Sequence, residues 1–214
     1  MLNLATLTPI QIDALREIGS IGAGHAATAL SKMVRRPVKM SVPGASVIPL
    51  SAVNDLVGGP ETQVWAIYLQ MLGDLDGHIV FIVPQEEAAT MVDRLMGRPC
   101  GTSATVDAMG ESALAEVGNI LTANYLIAMG DLAHLRLQPS PPMTANDMVS
   151  AILDGIVAHL SETSDSILSL ETQLLIEGDG AFRGYLLMFP APDTLPRLLA
   201  AIGLWHPSGG PRTP

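Results

Sequence analysis

An α+β fold built as two pseudo-symmetric halves, with long helices packed on a mainly antiparallel sheet, is the architecture this sequence predicts. Three observations carry it. Two β-rich runs, VWAIYLQMLG and GHIVFIVP, flank the turn DLDG and read as a hairpin. Two stretches of about 25 residues read as long helices, the first with helical apolar spacing behind a clear start signal. The unit that closes the first half, GHIVFIVPQEEAATMVDRLMG from Gly77 to Gly97, returns as GYLLMFPAPDTLPRLLAAIG from Gly184 to Gly203. Two copies make a pseudo-symmetric domain, not a solenoid.

The elements follow in order. Thr8 is placed as an N-cap, Pro9 suits the first helical position and Gln11 closes a capping box, so a helix is expected from there to about Val34. Pro37 stops it ahead of an extended segment, VKMSVPGASVIPL, and a short helix, SAVNDLVG, comes next. After the hairpin, QEEAATMVDRLMG is an amphipathic helix. The second half opens with a helix from about Asp107 to Asp131, then a polar, Pro-rich stretch. A helix over ANDMVSAILDGIVAHLSE, strands over SILSLETQLLIEG and FRGYLLMFP, and a last helix over DTLPRLLAAIG complete it. Each half thus reads helix, strand, helix, hairpin, helix. The expected organisation is one domain over residues 1–205, with pseudo-repeats of about 1–99 and 100–205, and a flexible Gly/Pro-rich tail over 206–214.

Composition narrows the function classes. Of the 214 residues 48% are hydrophobic, enough for a substantial core. With 11 Lys and Arg against 21 Asp and Glu the net charge is -10, the wrong sign for tracking a phosphate backbone, so nucleic acid is not an expected partner. Mean hydropathy is +0.36, yet the apolar runs fall well short of the roughly 20 residues a membrane span needs. No basic segment followed by an apolar run opens the chain, and a cytoplasmic location is expected. One cysteine, Cys100, excludes an internal disulfide framework, and five scattered histidines show no ligand spacing, so neither a metal nor a cofactor of the chain's own is expected.

The segment ESALAEVGNI, residues 111–120, sets Gly118 and Asn119 inside a helical run, where each is a poor helix former. Ser112, Glu116 and Asn119 are spaced i, i+4, i+7 and fall within about 60° on one helix face. Leu114, Val117 and Leu121 take the other side. In the first half Asp13, Glu17 and Ser20 have the same spacing, Gly19 matches Gly118, and Pro43 follows Ser20 at the distance at which Pro142 follows Asn119.

This pattern (Asp or Ser, three residues, Glu, two residues, Asn, twenty-two residues, Pro) resembles the signature of the CheC/CheX/FliY family of CheY-phosphate phosphatases. Two motifs in one chain make the likeness specific and CheC-like, and it extends to about Trp205. The second motif is intact, and the first has Ser20 where the family has Asn. The resemblance implies a hydrolase acting on the aspartyl phosphate of the chemotaxis response regulator CheY, whose own site holds the Mg²⁺. It also implies that Glu116 pairs with the regulator's active-site lysine while Asn119 inserts its carboxamide beside the phosphoryl group and orients the attacking water. Glu17 and Ser20 hold the corresponding places in the first half. Phosphorylated CheY is the implied partner, with CheD a further candidate. The alternative is a non-catalytic adaptor that binds CheY-phosphate or CheD, and the shortened side chain of Ser20 keeps it in view.

Other readings of these residues are weaker. Ser20 is not read as a nucleophile, because His25 lies five residues on, roughly 140° around the helix, and no histidine is placed to act as its base. GAGHAA, Gly22 to Ala27, fits a loose dinucleotide fingerprint, but that fingerprint needs a preceding strand and an acid about 20 residues later. A helix precedes it, and the next acid after Glu17 is Asp55. Close helix packing is the expected use of its small residues.

Overall fold

The start signal at Thr8 and Pro9 opens the first helix, α1 (Pro9–Val34). Thr8 and Gln11 pair as the expected capping box, with Gln11 Oε1 accepting from the Thr8 N–H at 2.9 Å. Gln11 is buried, and its Nε2 donates to the Leu204 carbonyl at 2.9 Å, so the same side chain ties the last described segment to the first helix. The computed structural model describes residues 7–159, 166–176 and 181–205. After α1 these contain β1 (Val38–Pro49), α2 (Val53–Leu56), β2 (Gln63–Gly73), β3 (Gly77–Pro84), α3 (Gln85–Leu95) and α4 (Ala108–Ala133). There follow β4 (Leu137–Pro139), β5 (Met143–Met148), α5 (Val149–His159), β6 (Ser166–Ile176), β7 (Ala181–Pro190) and α6 (Thr194–Ala201). The expected tail over 206–214 lies outside the described residues.

The strands form one antiparallel sheet in the order β1-β6-β7-β3-β2, and β2 carries both β4 and β5 on its outer side. The leading strand of each half pairs with the hairpin of the other, β1 with β6, and β4 and β5, its interrupted counterpart, with β2. The halves meet where β3 pairs with β7. This exchange makes a single α+β domain in which neither half completes a sheet alone.

Strand alternation serves two cores. Ile67, Leu69, Ile79, Phe81, Leu170 and Leu186 face α1, α3, α4 and α6. Val64, Ala66, Val80, Ile82, Leu187 and Phe189 face α2 and α5. Runs such as IVFIV, Ile79 to Val83, are continuously apolar because both faces of the central strands are covered.

One expected element is corrected. Residues 145–148, read as the start of a helix, are strand, and α5 begins only at Val149. The ladder from Gln63↔Met148 to Tyr68↔Met143 takes this polar stretch as the partner of β2, a non-local pairing that overrides local preference. Both motif prolines interrupt strands. Pro43 sits at the register shift between Ser41 and Gly44 in β1. Pro141 and Pro142 separate β4 from β5. A residue without an N–H cannot extend a ladder, so the two halves use one device to bend the same strand. The helix ends agree too: Arg35 and His134, in corresponding positions, both close their helices in the left-handed region, at φ 54° and 57°.

Asp93 ties the crossing between the halves. It is fully buried near the end of α3 and accepts from the Thr102 N–H at 2.8 Å and the Ser103 N–H at 3.1 Å. Burial alone would raise its pKa, but these bonds, with further ones from the Ser103 side chain and the Gly101 backbone, outweigh it and hold the carboxyl below its ordinary value. A depressed folded-state pKa contributes stability that is present above about pH 4 and is lost as pH falls through the folded value. Asp93→Asn is therefore expected to lower stability by about 1–3 kcal/mol at pH 7. In urea titrations the gap from wild type should narrow below about pH 4. A gap independent of pH would show that Asp93 is not titrating with folding.

Candidate catalytic site on the paired long helices

Leu114 and Val117, with no exposed surface, and the buried Leu121 hold one side of α4 in the core, and this fixes which side faces out. Asp107 caps the start by accepting from the Gly110 N–H at 2.8 Å. The outward stripe carries Ser112 and Glu116 exposed and Asn119 half-buried. Ser112 Oγ donates back to the Ala108 carbonyl at 3.0 Å. Glu116 and Asn119 make no side-chain hydrogen bond or ion pair to any described residue, so an acceptor carboxylate and a donor–acceptor amide stand free on a rigid helix.

Gly118 answers for its poor helix propensity. A Cβ there would lie 2.6 Å from Ile67 Cγ2 and 2.8 Å from Ile67 Cβ, so its absence lets α4 settle onto β2 beside the stripe. The close approach comes from the chain's own sheet, not from a partner.

The first half arranges the same positions differently. Asp13, Glu17 and Ser20 are all exposed on α1. Ser20 Oγ is turned inward, donating to the Arg16 carbonyl at 3.1 Å. Arg16 in turn contacts Asp13 at 3.3 Å. One turn before Ser20 this half therefore presents a guanidinium where the second half has Ala115. Arg16 was not singled out by the motif, which is silent at that position, although comparing the two halves residue by residue would have found it.

The dinucleotide reading has no support in the fold, since GAGHAA lies inside α1 and helix, not strand, leads directly into it. Its glycines serve packing: a Cβ on Gly22 would stand 2.8 Å from Tyr125 Cα of α4. Tyr125 is buried with its hydroxyl unpartnered among the described residues, and burial pushes its pKa up, so it stays a neutral phenol. Among the described residues no three His, Cys, Asp or Glu side chains gather as a metal-binding group. No described helix is long and apolar enough to cross a membrane.

An interlocked α+β domain with two helix-borne polar stripes related by its internal repeat defines a two-motif protein of one sheet. Comparison with known proteins agrees. The CheC-like family profile matches residues 10–47 and 109–144, which include both motifs from Asp13 to Pro43 and from Ser112 to Pro142. The chain is 35% identical over 196 residues to the CheY-P phosphatase CheC of Bacillus subtilis (strain 168), covering 90% of this chain and 94% of that one. It belongs to the CheC-like family. It is also 30% identical over 137 residues to the flagellar motor switch phosphatase FliY of the same organism, over 64% of this chain but only 35% of that larger protein. The crystal structure of FliY from Thermotoga maritima shares the fold, with a TM-score of 0.74 at 22% identity over 92% of this chain and 98% of that one.

Proposed function

We propose that this protein is a cytoplasmic CheY-phosphate phosphatase whose productive site is Glu116 and Asn119 on α4. The observation that carries the proposal is the free Glu116–Asn119 pair on the exposed stripe, in a chain similar over its length to a CheY-P phosphatase. In this scheme Glu116 holds the regulator's active-site lysine, and the Asn119 amide accepts from and donates to the attacking water. Water oxygen bonds to phosphorus, the bond from phosphorus to the aspartyl oxygen breaks, the aspartate is released as its carboxylate and both water protons leave with the phosphate. Such a loose transition state needs positioning and charge more than covalent chemistry, which a neutral amide on a rigid helix can supply. Mg²⁺ belongs to the regulator in this scheme, and the chain contributes no metal or cofactor. Glu17 and Ser20 form a weaker counterpart, because the Ser20 hydroxyl spends its proton on the Arg16 carbonyl and is shorter than an amide. CheD is kept as a further partner on the family resemblance.

Decay of labelled CheY-phosphate with the protein at one-hundredth of the substrate concentration is the direct test. Turnover is expected. Protection or decay only at equimolar protein would replace the phosphatase with a binding adaptor.

A further inference from the structure

Beyond the polar groups, the stripe on α4 is bracketed by the exposed apolar side chains of Met109 and Ile127, with Ile120 between them packed partly against the core. Met109 is 60% exposed and Ile127 is 47% exposed, and Ile120, next to Asn119, is half-buried. At 100° per residue Met109, Glu116, Ile120 and Ile127 fall within about 40° of one another, along about 27 Å of helix. The corresponding residues of α1 are Ile10, Glu17, Ile21 and Thr28, so the far bracket is apolar only in the second half. Thr28 is also exposed, with its hydroxyl bonded to the Gly24 carbonyl. Large aliphatic side chains aligned with a free carboxylate on one helix face mark an interface with a dry periphery and a polar centre.

We infer that Met109, Ile120 and Ile127 are the docking anchors for the phosphorylated response regulator, and that Ile127 is what makes the second site the preferred one. This rests on the phosphatase reading, which supplies the occupant. Continuity of the apolar line with Glu116 supports it, and so does its length. A globular partner of about 100 residues, with a radius of gyration near 13 Å, centres on Glu116 and reaches both ends. The anchors act on binding of substrate and transition state alike, so they set KM and leave kcat alone.

The test exchanges Ile127 for the residue of the other half. Ile127→Thr keeps a β-branched side chain of similar helix propensity at an exposed position, so folding is not at issue. KM for CheY-phosphate should rise about tenfold at unchanged kcat, with a smaller rise for Met109→Ala. Binding of beryllofluoride-activated CheY, followed by calorimetry, should weaken by the same factor. Unchanged KM and affinity in both variants would overturn the inference, as would a fall in kcat with KM constant. Dimerisation of the wild type that Ile127→Thr abolishes, with KM unchanged, would give the stripe to a second copy of the chain instead. Wild-type protein that binds activated CheY without turnover would overturn the phosphatase and leave the binding measurement to decide the anchors. Failure of the wild type to bind would overturn both.

Discussion

Asn119→Ala is expected to lower kcat for CheY-phosphate hydrolysis about a hundredfold, a loss of about 3 kcal/mol of transition-state stabilisation. The half-buried amide has no bond within the described chain, so its removal leaves the helix intact and strands no partner. KM should stay near the wild-type value, because the orienting contact to water matters most in the transition state. The corresponding Ser20→Ala change should cost little, since that hydroxyl already donates to Arg16. Ser20→Asn should restore the family pattern in a half that already has Asp13, Glu17 and Pro43, raising the rate and partly rescuing Asn119→Ala. Adding Arg16→Ala should improve the rescue, because Ala115 holds that place beside the intact motif. Full activity in Asn119→Ala would remove Asn119 from the mechanism. Rescue absent from all these combinations would leave the protein single-sited.

The second large effect is a reversal of sign between two glycines of one helix. Gly22→Ala and Gly24→Ala each gain about 1 kcal/mol of helix propensity, and on that ground alone both would stabilise. Gly22 is buried where α1 crosses α4, with the Tyr125 backbone 2.8 Å and the Asn124 carbonyl 3.1 Å from where a Cβ would sit. Backbone atoms cannot rotate away, so the helices must separate, and overpacking should outweigh propensity by about 2 kcal/mol. Gly24 is exposed with nothing within 4 Å of its Cβ position. Thermal unfolding should show Tm falling by about 4–8 °C for Gly22→Ala and rising by about 2–3 °C for Gly24→Ala. Two shifts of the same sign would mean that the α1–α4 contact does not limit packing at Gly22.

What could be read from the sequence is what short-range physics governs. Proline at a first helical turn, a four-residue turn between apolar runs and a period of 3.6 each act over a few residues. They located α1, the β2–β3 hairpin, α3, α4, the last two strands and α6 closely. The spacing of Ser112, Glu116 and Asn119 likewise determined that they share a face, since a helix leaves no choice. Tertiary structure alone decided that β1 pairs with β6 and β5 with β2, because which strand completes a sheet depends on partners about 75 to 140 residues away. That competition turned residues 145–148 from expected helix to strand. The inequality of the two sites has the same origin. The motif records Ser20 and Asn119, but only the folded chain shows one hydroxyl bonded to its own helix and one amide left free. In the same way Ile67 against Gly118, and Tyr125 against Gly22, explain glycines that helix propensity alone would reject.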